Sequence, residues 1–236
     1  MRVPPNASAL VIGVGGLGCP ASLALAMSGV RRIALVDPDF VDESNLHRQL
    51  WHRGSDLGKL KVESAANRLR QAFPQVEVEP IPLRVQEGNV DALLRGYSIA
   101  IDGTDDAATK FFLSDAAIRQ GVALVYGGVL RMEGQAMLIA PGGPCLRCLF
   151  EGSPSPEHAP RCSEVGILGS VAGVVGALQA SLALQVLRGC GEGGKLVTFD
   201  GRSLRSRVIA VRRAADCPAC GVPDGIVRTW AEGARA

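Results

Sequence analysis

Aromatic residues, surplus charge and a targeting signal are what this sequence is short of. Phe, Tyr and Trp make up only 4% of its 236 residues. Lys and Arg number 25 against 23 Asp and Glu, leaving a net charge of +2. With no Lys/Arg block and no basic–aromatic interleaving, nucleic acid is not expected as a partner. No internal repeat and no low-complexity segment is present. The apolar stretch at 9–29, ALVIGVGGLGCPASLALAMSG, does not suit a secretory signal. Only Arg2 precedes it, Pro4 and Pro5 follow that Arg, and Gly13, Gly15, Gly16 and Gly18 interrupt the run. A second stretch at 165–187 carries no charge and is long enough to span a bilayer, and it contains Gly169-x-x-x-Gly173. Gln179, Gln185 and the glycine-rich packing favour a helix buried in a core or a dimer interface over a membrane span. The expected setting is the cytoplasm, with no membrane partner.

What the chain does have is 29 glycines and 47% hydrophobic residues, enough for a sizeable core. Up to residue 127, short apolar strands alternate with helices. The strands are SALVIG, RRIALVD, VEVEPIPL, YSIAID and VALVYGG; the helices are expected at 16–29, 58–72, 88–95 and 106–120. Buried β-branched runs spaced in this way predict a Rossmann-like, mostly parallel sheet with helices on both faces. From about 129 the pattern changes to antiparallel strands, LRMEGQAMLIA, then KLVTFD and SRVIAVR, around a polar, proline-rich loop at 151–163 where disorder is expected. We read 1–236 as one domain: a nucleotide-binding half (1–128), an antiparallel and cysteine-bearing part (129–221) and a polar tail (222–236).

Gly13-x-Gly15-x-x-Gly18 follows a strand and opens a helix, and Asp37 ends the next strand 19 residues after Gly18. That is a dinucleotide fingerprint in its required context: backbone N–H groups approach a phosphate at the positive end of a helix, and Asp37 accepts from ribose hydroxyls. An NAD dehydrogenase is the first owner to consider. Its nicotinamide slot should be flat and apolar, whereas DPDFVDESNLHRQL places Ser44, Asn45 and Arg48 just beyond Asp37, and GKLKVESA adds Lys61. Two cations with small polar groups suit a triphosphate better. IDGTDD brings Asp102, Asp105 and Asp106 to the end of the fourth strand, facing the ligand crevice. A carboxylate there can hold Mg²⁺ across phosphates or cap a helix; Asp105 reads as the metal ligand and Asp106 as the cap.

Four of the seven cysteines form Cys145-x-x-Cys148 and Cys217-x-x-Cys220, each in a Gly/Pro-rich knuckle. Spacing alone leaves structural zinc and a redox CPAC pair both open. Cys19 and Cys190 read as small buried residues. His47, His52 and His158 show no metal spacing and receive no role.

Taken in order, GVGGLGCPAS, DFVDESNLHRQ, GKLKVESA, GTDD, RMEGQ, the paired CxxC motifs and GILGSVAGVVGALQA resemble the ThiF/MoeB/HesA family, bacterial relatives of ubiquitin-activating enzymes, over residues 9 to about 221. The resemblance implies an ATP-dependent adenylyltransferase, usually a homodimer, acting on a small ubiquitin-like sulfur carrier that ends in Gly-Gly. It further implies that Gly16 lies against the nucleotide and Asp37 binds the ribose. Ser44, Asn45 and Arg48 would contact adenosine and phosphates, Lys61 the phosphates, and Asp105 the Mg²⁺. The four paired cysteines would hold a structural Zn²⁺. In part of the family a cysteine at the position of Cys162 is linked covalently to the carrier. No rhodanese-like domain follows CPAC, so a separate sulfur donor is expected. One feature departs from the family: members usually begin with a helical Arg-Tyr-x-Arg-Gln-like segment, which MRVPPNA does not match. A non-catalytic nucleotide-binding partner or an N-terminally truncated paralogue is therefore the alternative.

Overall fold

The structure, a computed structural model, describes residues 2–150, 152 and 166–221. In chain order these form β1 (Ser8–Ile12), α1 (Gly18–Met27), β2 (Arg32–Val36), α2 (Lys61–Ala72), β3 (Glu77–Ile81), α3 (Val90–Leu94), β4 (Ile99–Asp102) and α4 (Ala107–Gln120). They continue with β5 (Leu124–Leu130), β6 (Glu133–Ile139), α5 (Leu146–Leu149), α6 (Gly169–Leu187), β7 (Lys195–Asp200) and β8 (Arg205–Ala210). The first four helices start one to three residues later than the sequence pattern suggests. Leu60 and Asp106, which precede α2 and α4, keep extended ψ values of 133° and 124° and so stand outside the helices as caps.

All described strands belong to one sheet, ordered β3-β2-β1-β4-β5-β6-β7-β8. The pairs among β1 to β5 are parallel, while β6, β7 and β8 add antiparallel. Every residue of β1 is buried, because the strand has a core on each side. Ala9 and Val11 pack with Leu25 of α1 and Leu69 of α2, whereas Leu10 and Ile12 pack with Leu113 and Ala117 of α4. Burying a leucine as fully as Leu25 contributes about 1.5–3 kcal/mol. The strand order reverses between β1 and β4, and a crevice opens there at the carboxyl ends of the parallel strands.

Helix α6 is the one described helix long and apolar enough to cross a membrane. Val171, Val175, Gln179, Ala183 and Leu187 are nevertheless buried within the fold. Its close approaches do not use the Gly169-x-x-x-Gly173 pair as such. A Cβ on Gly169 would lie 2.6 Å from the His47 carbonyl oxygen and one on Gly176 2.5 Å from that of Leu17, but one on Gly173 would meet nothing within 4 Å. Gly169 and Gly176 are thus the residues that let α6 lie against the Arg48 loop and α1. Cys19 is buried, and burial pushes its thiol up to about 12. Cys190 is exposed rather than buried, since α6 ends before it. The loop expected to be disordered, with Cys162 and His158, lies outside the described residues except for Gly152.

Candidate functional site

A cavity of about 1150 Å³ opens over the switch point. It exceeds the roughly 300–1,000 Å³ usual for one small ligand, leaving room for a second group beside a nucleotide-sized one. The glycine turn makes its floor. Gly13 has φ +87°, and a Cβ there would sit 2.6 Å from the Gly103 carbonyl oxygen, so the β1 and β4 loops touch backbone to backbone. Gly18 does not line the cavity but packs beneath it: its Cβ would fall 1.9 Å from the Gly13 carbonyl oxygen. Gly16 faces the opening, between Ala172 and the stem of Arg48. No side chain among the described residues caps the start of α1, which leaves its N-terminal end directed at the cavity floor.

Asp37, 6% exposed, is fastened to the same turn. Its Oδ2 accepts the Val14 N–H at 2.7 Å and its Oδ1 accepts the Asp39 N–H at 2.9 Å. Burial raises its pKa, with Lys61 opposing. Each oxygen keeps a lone pair for a hydroxyl in the cavity. Arg48 is held over the floor by three bonds, Nη2 to Asn45 Oδ1 at 2.6 Å, Nη1 to the Ser44 carbonyl at 3.1 Å and Nη1 to His47 Nε2 at 3.3 Å. Ser44 is itself fixed by Asp42, whose carboxylate accepts both its N–H and its hydroxyl. Lys61 begins α2, is buried, and its Nζ lies 3.1 Å from Asp39 Oδ2. Ser44, Asn45, Arg48, Lys61, Asp105 and Asp106 all border the cavity beside Asp37, so cations, hydroxyl acceptors and carboxylates converge on one space.

The three aspartates of IDGTDD take separate duties. Asp106 caps α4, accepting the Thr109 N–H and hydroxyl, each at 2.7 Å. Asp105 is exposed at the cavity, and its carboxylate has no hydrogen-bond partner among the described residues, which suits an oxygen ligand for a divalent cation. Asp102, expected to face the crevice with them, is instead fully buried. Its side chain turns away to Lys110 and Thr104 because an unpaired buried carboxylate is untenable.

Sequence reasoning missed three residues around this site. Lys110 neutralises Asp102; its signal was a cation in the first turn of a helix, where the dipole disfavours it. Gln179 reaches from α6 to the Asp102 and Val125 carbonyls at 2.7 and 3.1 Å. His52 is buried, with Nε2 3.1 Å from the Val14 carbonyl and Nδ1 3.0 Å from Ser64 Oγ. A carbonyl can only accept, so Nε2 carries the proton and Nδ1 accepts from the Ser64 hydroxyl. Burial depresses the His52 pKa. The far end of the cavity is bordered by Gly128, Gly134, Gln135, Thr198, Arg205 and Arg207. There Gln135 donates to the Tyr126 hydroxyl at 2.7 Å, and burial pushes that phenol up to about 12.

Away from the cavity, Cys145, Cys148, Cys217 and Cys220 bring their sulfurs within 4.8 Å of one another. Three of the separations are 3.9, 3.6 and 3.3 Å. A tetrahedral zinc with bonds of about 2.3 Å requires sulfurs about 3.8 Å apart, so the quartet could hold such an ion. Burial opposes a thiolate at Cys217, yet the Cys220 and Ala219 N–H groups bring it down to about 7. Arg147 stands beside the quartet, paired with Asp115 through two of its nitrogens.

The ThiF family model matches residues 5–219. The SAMP-activating enzyme E1 of Haloferax volcanii is 40% identical over 214 residues, covering 90% of this chain and 79% of that protein. The sulfur carrier protein adenylyltransferase of Thermus thermophilus is 39% identical over 224 residues, covering 92% and 83%. The adenylyltransferase and sulfurtransferase MOCS3 of Culex quinquefasciatus is 42% identical over 220 residues, and the chain spans 50% of its length. Among solved structures, E. coli MccB with ATP superposes with a TM-score of 0.81 at 22% identity, covering 92% of this chain and 68% of MccB, a likeness of fold.

Proposed function

The chain belongs to the ThiF family, and we propose that it is an adenylyltransferase that uses ATP to activate the C-terminal Gly-Gly carboxylate of a small ubiquitin-like sulfur carrier. One observation carries this: a single cavity holds a phosphate-binding turn, a ribose-type carboxylate, the cations Arg48 and Lys61 and an Asp105 without a hydrogen-bond partner among the described residues, then continues past glycines toward β7 and β8. The carrier's carboxylate attacks the α-phosphorus. A phosphorus–oxygen bond forms there, the bond to the β-phosphate oxygen breaks, and pyrophosphate leaves as the acyl-adenylate forms. No protein nucleophile takes part; positioning and charge neutralisation supply the rate. Asp37 holds the ribose hydroxyls. Ser44 and Asn45 border the adenosine, and Gly13, Gly15 and Gly16 let the phosphates approach the turn. Arg48 grips phosphate as a fork and Lys61 as a point charge, and both would exchange part of their present bonds for it. Asp105 would hold Mg²⁺, which neutralises charge on the leaving pyrophosphate.

The four-cysteine site takes Zn²⁺ and is structural, pinning the α5 knuckle to the segment after β8. Exposed Met27, Leu50, Leu168 and Val174 supply apolar surface for a second copy of the chain. A separate sulfur donor would supply the sulfur. Cys162, if it serves as a covalent acceptor of the carrier, does so after adenylation; Cys162→Ala then keeps adenylate formation and loses any reducible conjugate. Cysteines free of disulfides among the described residues, together with ATP, suit the cytoplasm. The test is exchange of labelled pyrophosphate into ATP with Mg²⁺, with and without carriers ending in Gly-Gly. Carrier-dependent exchange that disappears in Arg48→Ala is expected. ATP binding without exchange for any carrier would overturn the catalytic reading in favour of a nucleotide-binding partner.

A further inference from the structure

Lys110 borders the cavity, but its ammonium group is spent inside the protein. Nζ lies 3.3 and 3.2 Å from the two Asp102 oxygens, 2.7 Å from the Thr104 carbonyl oxygen and 2.7 Å from that of Gly127. An ammonium group has three hydrogens, and these three partners use them all. The Lys110 side chain is 12% exposed and that of Asp102 not at all. The Tyr126 ring closes over the pair, its centroid 5.4 Å from Nζ.

These bonds surround the one residue proposed to meet the divalent cation. Thr104 directly precedes Asp105. Its N–H and hydroxyl donate to Asp102 Oδ1 at 3.0 and 2.6 Å, and its carbonyl accepts from Lys110. The peptide plane that enters Asp105 is therefore fixed. The residue after it, Asp106, is fixed in turn as the cap of α4. Asp105 stands between two anchored neighbours, and its own carboxylate has no hydrogen-bond partner among the described residues and borders the cavity. On the other face of the sheet, Gln179 holds the Asp102 carbonyl, so the end of β4 is clasped by α4 and α6 together. Lys110 also binds the Gly127 carbonyl on β5, next to Gly128 at the far end of the cavity, the acyl end, where the carrier's carboxylate would enter. One side chain thus ties the cation-binding loop to the strand along which the second substrate would lie.

We propose that Lys110 is a positioning residue that aims Asp105 at the nucleotide-bound divalent cation and sets its distance from the acyl end of the cavity. It touches neither phosphate nor carboxylate itself. An arginine keeps the charge but replaces the three tetrahedrally directed N–H bonds of the ammonium, which meet Asp102, Thr104 and Gly127, with a planar fork. The proposal rests on the adenylation reading for its reaction, though not for its geometry. Partners that orient a metal ligand are typically worth about 10- to 100-fold in metal affinity.

The experiment measures ATP affinity by calorimetry with and without Mg²⁺ for the wild type, Lys110→Met, Lys110→Arg and Asp105→Ala. Pyrophosphate exchange is measured in parallel. Lys110→Met leaves a buried carboxylate uncompensated; if it fails to fold, Lys110→Met/Asp102→Asn, which removes both charges, carries the test. A folded Lys110 variant is expected to bind ATP alone as the wild type does and to lose about tenfold or more of the Mg²⁺-dependent gain. Its kcat should fall with little change in KM for the carrier, and Lys110→Arg should restore neither. A folded variant that keeps the full Mg²⁺ gain while Asp105→Ala loses it overturns the role of Lys110 alone. If Asp105→Ala keeps the gain as well, the assignment of Asp105 in the adenylation site falls instead.

Discussion

Gly16 and Gly18 share a turn but are required for different reasons, and replacing each with alanine should separate packing from binding. At Gly18 the added Cβ meets a backbone carbonyl oxygen 1.9 Å away, with the Gly13 carbonyl carbon at 3.0 Å and Val11 Cγ1 at 3.2 Å. No rotamer change relieves a clash with backbone, so the strand end and the helix start must move apart. Overpacking typically costs about 1–3 kcal/mol, and this contact belongs at the upper end. For a chain of this size each kcal/mol lowers Tm by about 2–4 °C, so Gly18→Ala should lose about 6–12 °C. At Gly16 the nearest atom is the Ala172 methyl at 3.3 Å, followed by Arg48 Cγ at 3.6 Å, and both can give by tenths of an ångström. Its φ lies outside the left-handed region, so alanine also narrows the unfolded ensemble at no strain. Gly16→Ala should stay within about 1 kcal/mol of the wild type in stability. The same methyl, however, stands between Arg48 and the turn, where a phosphate would come. A tenfold or greater loss of ATP affinity, about 1.4 kcal/mol, is expected. Thermal melts and ATP calorimetry on both proteins decide it. Equal Tm losses for the two variants, or wild-type ATP affinity in Gly16→Ala, would refute the division.

Asp37→Asn should weaken ATP binding by about 1.5–3 kcal/mol, the worth of hydrogen bonds to a charged group, and should lower Tm as well, since its amide nitrogen cannot accept one of the Val14 and Asp39 N–H groups that the carboxylate holds; unchanged affinity would remove Asp37 from the ribose. Burial holds the folded His52 pKa below its ordinary value, so its contribution to stability is complete above about pH 6.5 and is lost as pH falls toward the folded pKa. Urea midpoints should therefore drop from pH 7.5 to 5.5 in the wild type and drop less in His52→Gln; parallel curves would exclude His52 as a source. Purified protein should carry about one zinc per chain, and Cys217→Ser should lose the metal and melt earlier while the glycine turn still binds ATP; full metal content in the variant would rule out the quartet.

The nucleotide half was legible because its signals are local. A buried strand, a turn that only glycine can make, a helix start and an acid at the end of the next strand lie within 30 residues, and neighbours along the chain enforce most of that geometry. The cap role of Asp106 was legible for the same reason, as were the two cysteine knuckles individually. What bound the knuckles together was not: Cys145 meets Cys217 only after β6, β7 and β8 have folded the chain back on itself. The same holds for Asp102, which its sequence neighbours suggested for the crevice. Its direction is decided by Lys110 from α4 on one face of the sheet, and its carbonyl is held by Gln179, 77 positions away, on the other. His52 joins Val14 across 38 positions, and Gly176 rather than Gly173 admits α1 because helix packing, not a sequence spacing, sets where two backbones touch. The sequence by itself determined which chemistry is available at the ends of the parallel strands. Only the tertiary structure decided which charges stay buried and paired and which remain free for a ligand, because desolvation depends on everything packed around a group and not on the residues beside it in the chain.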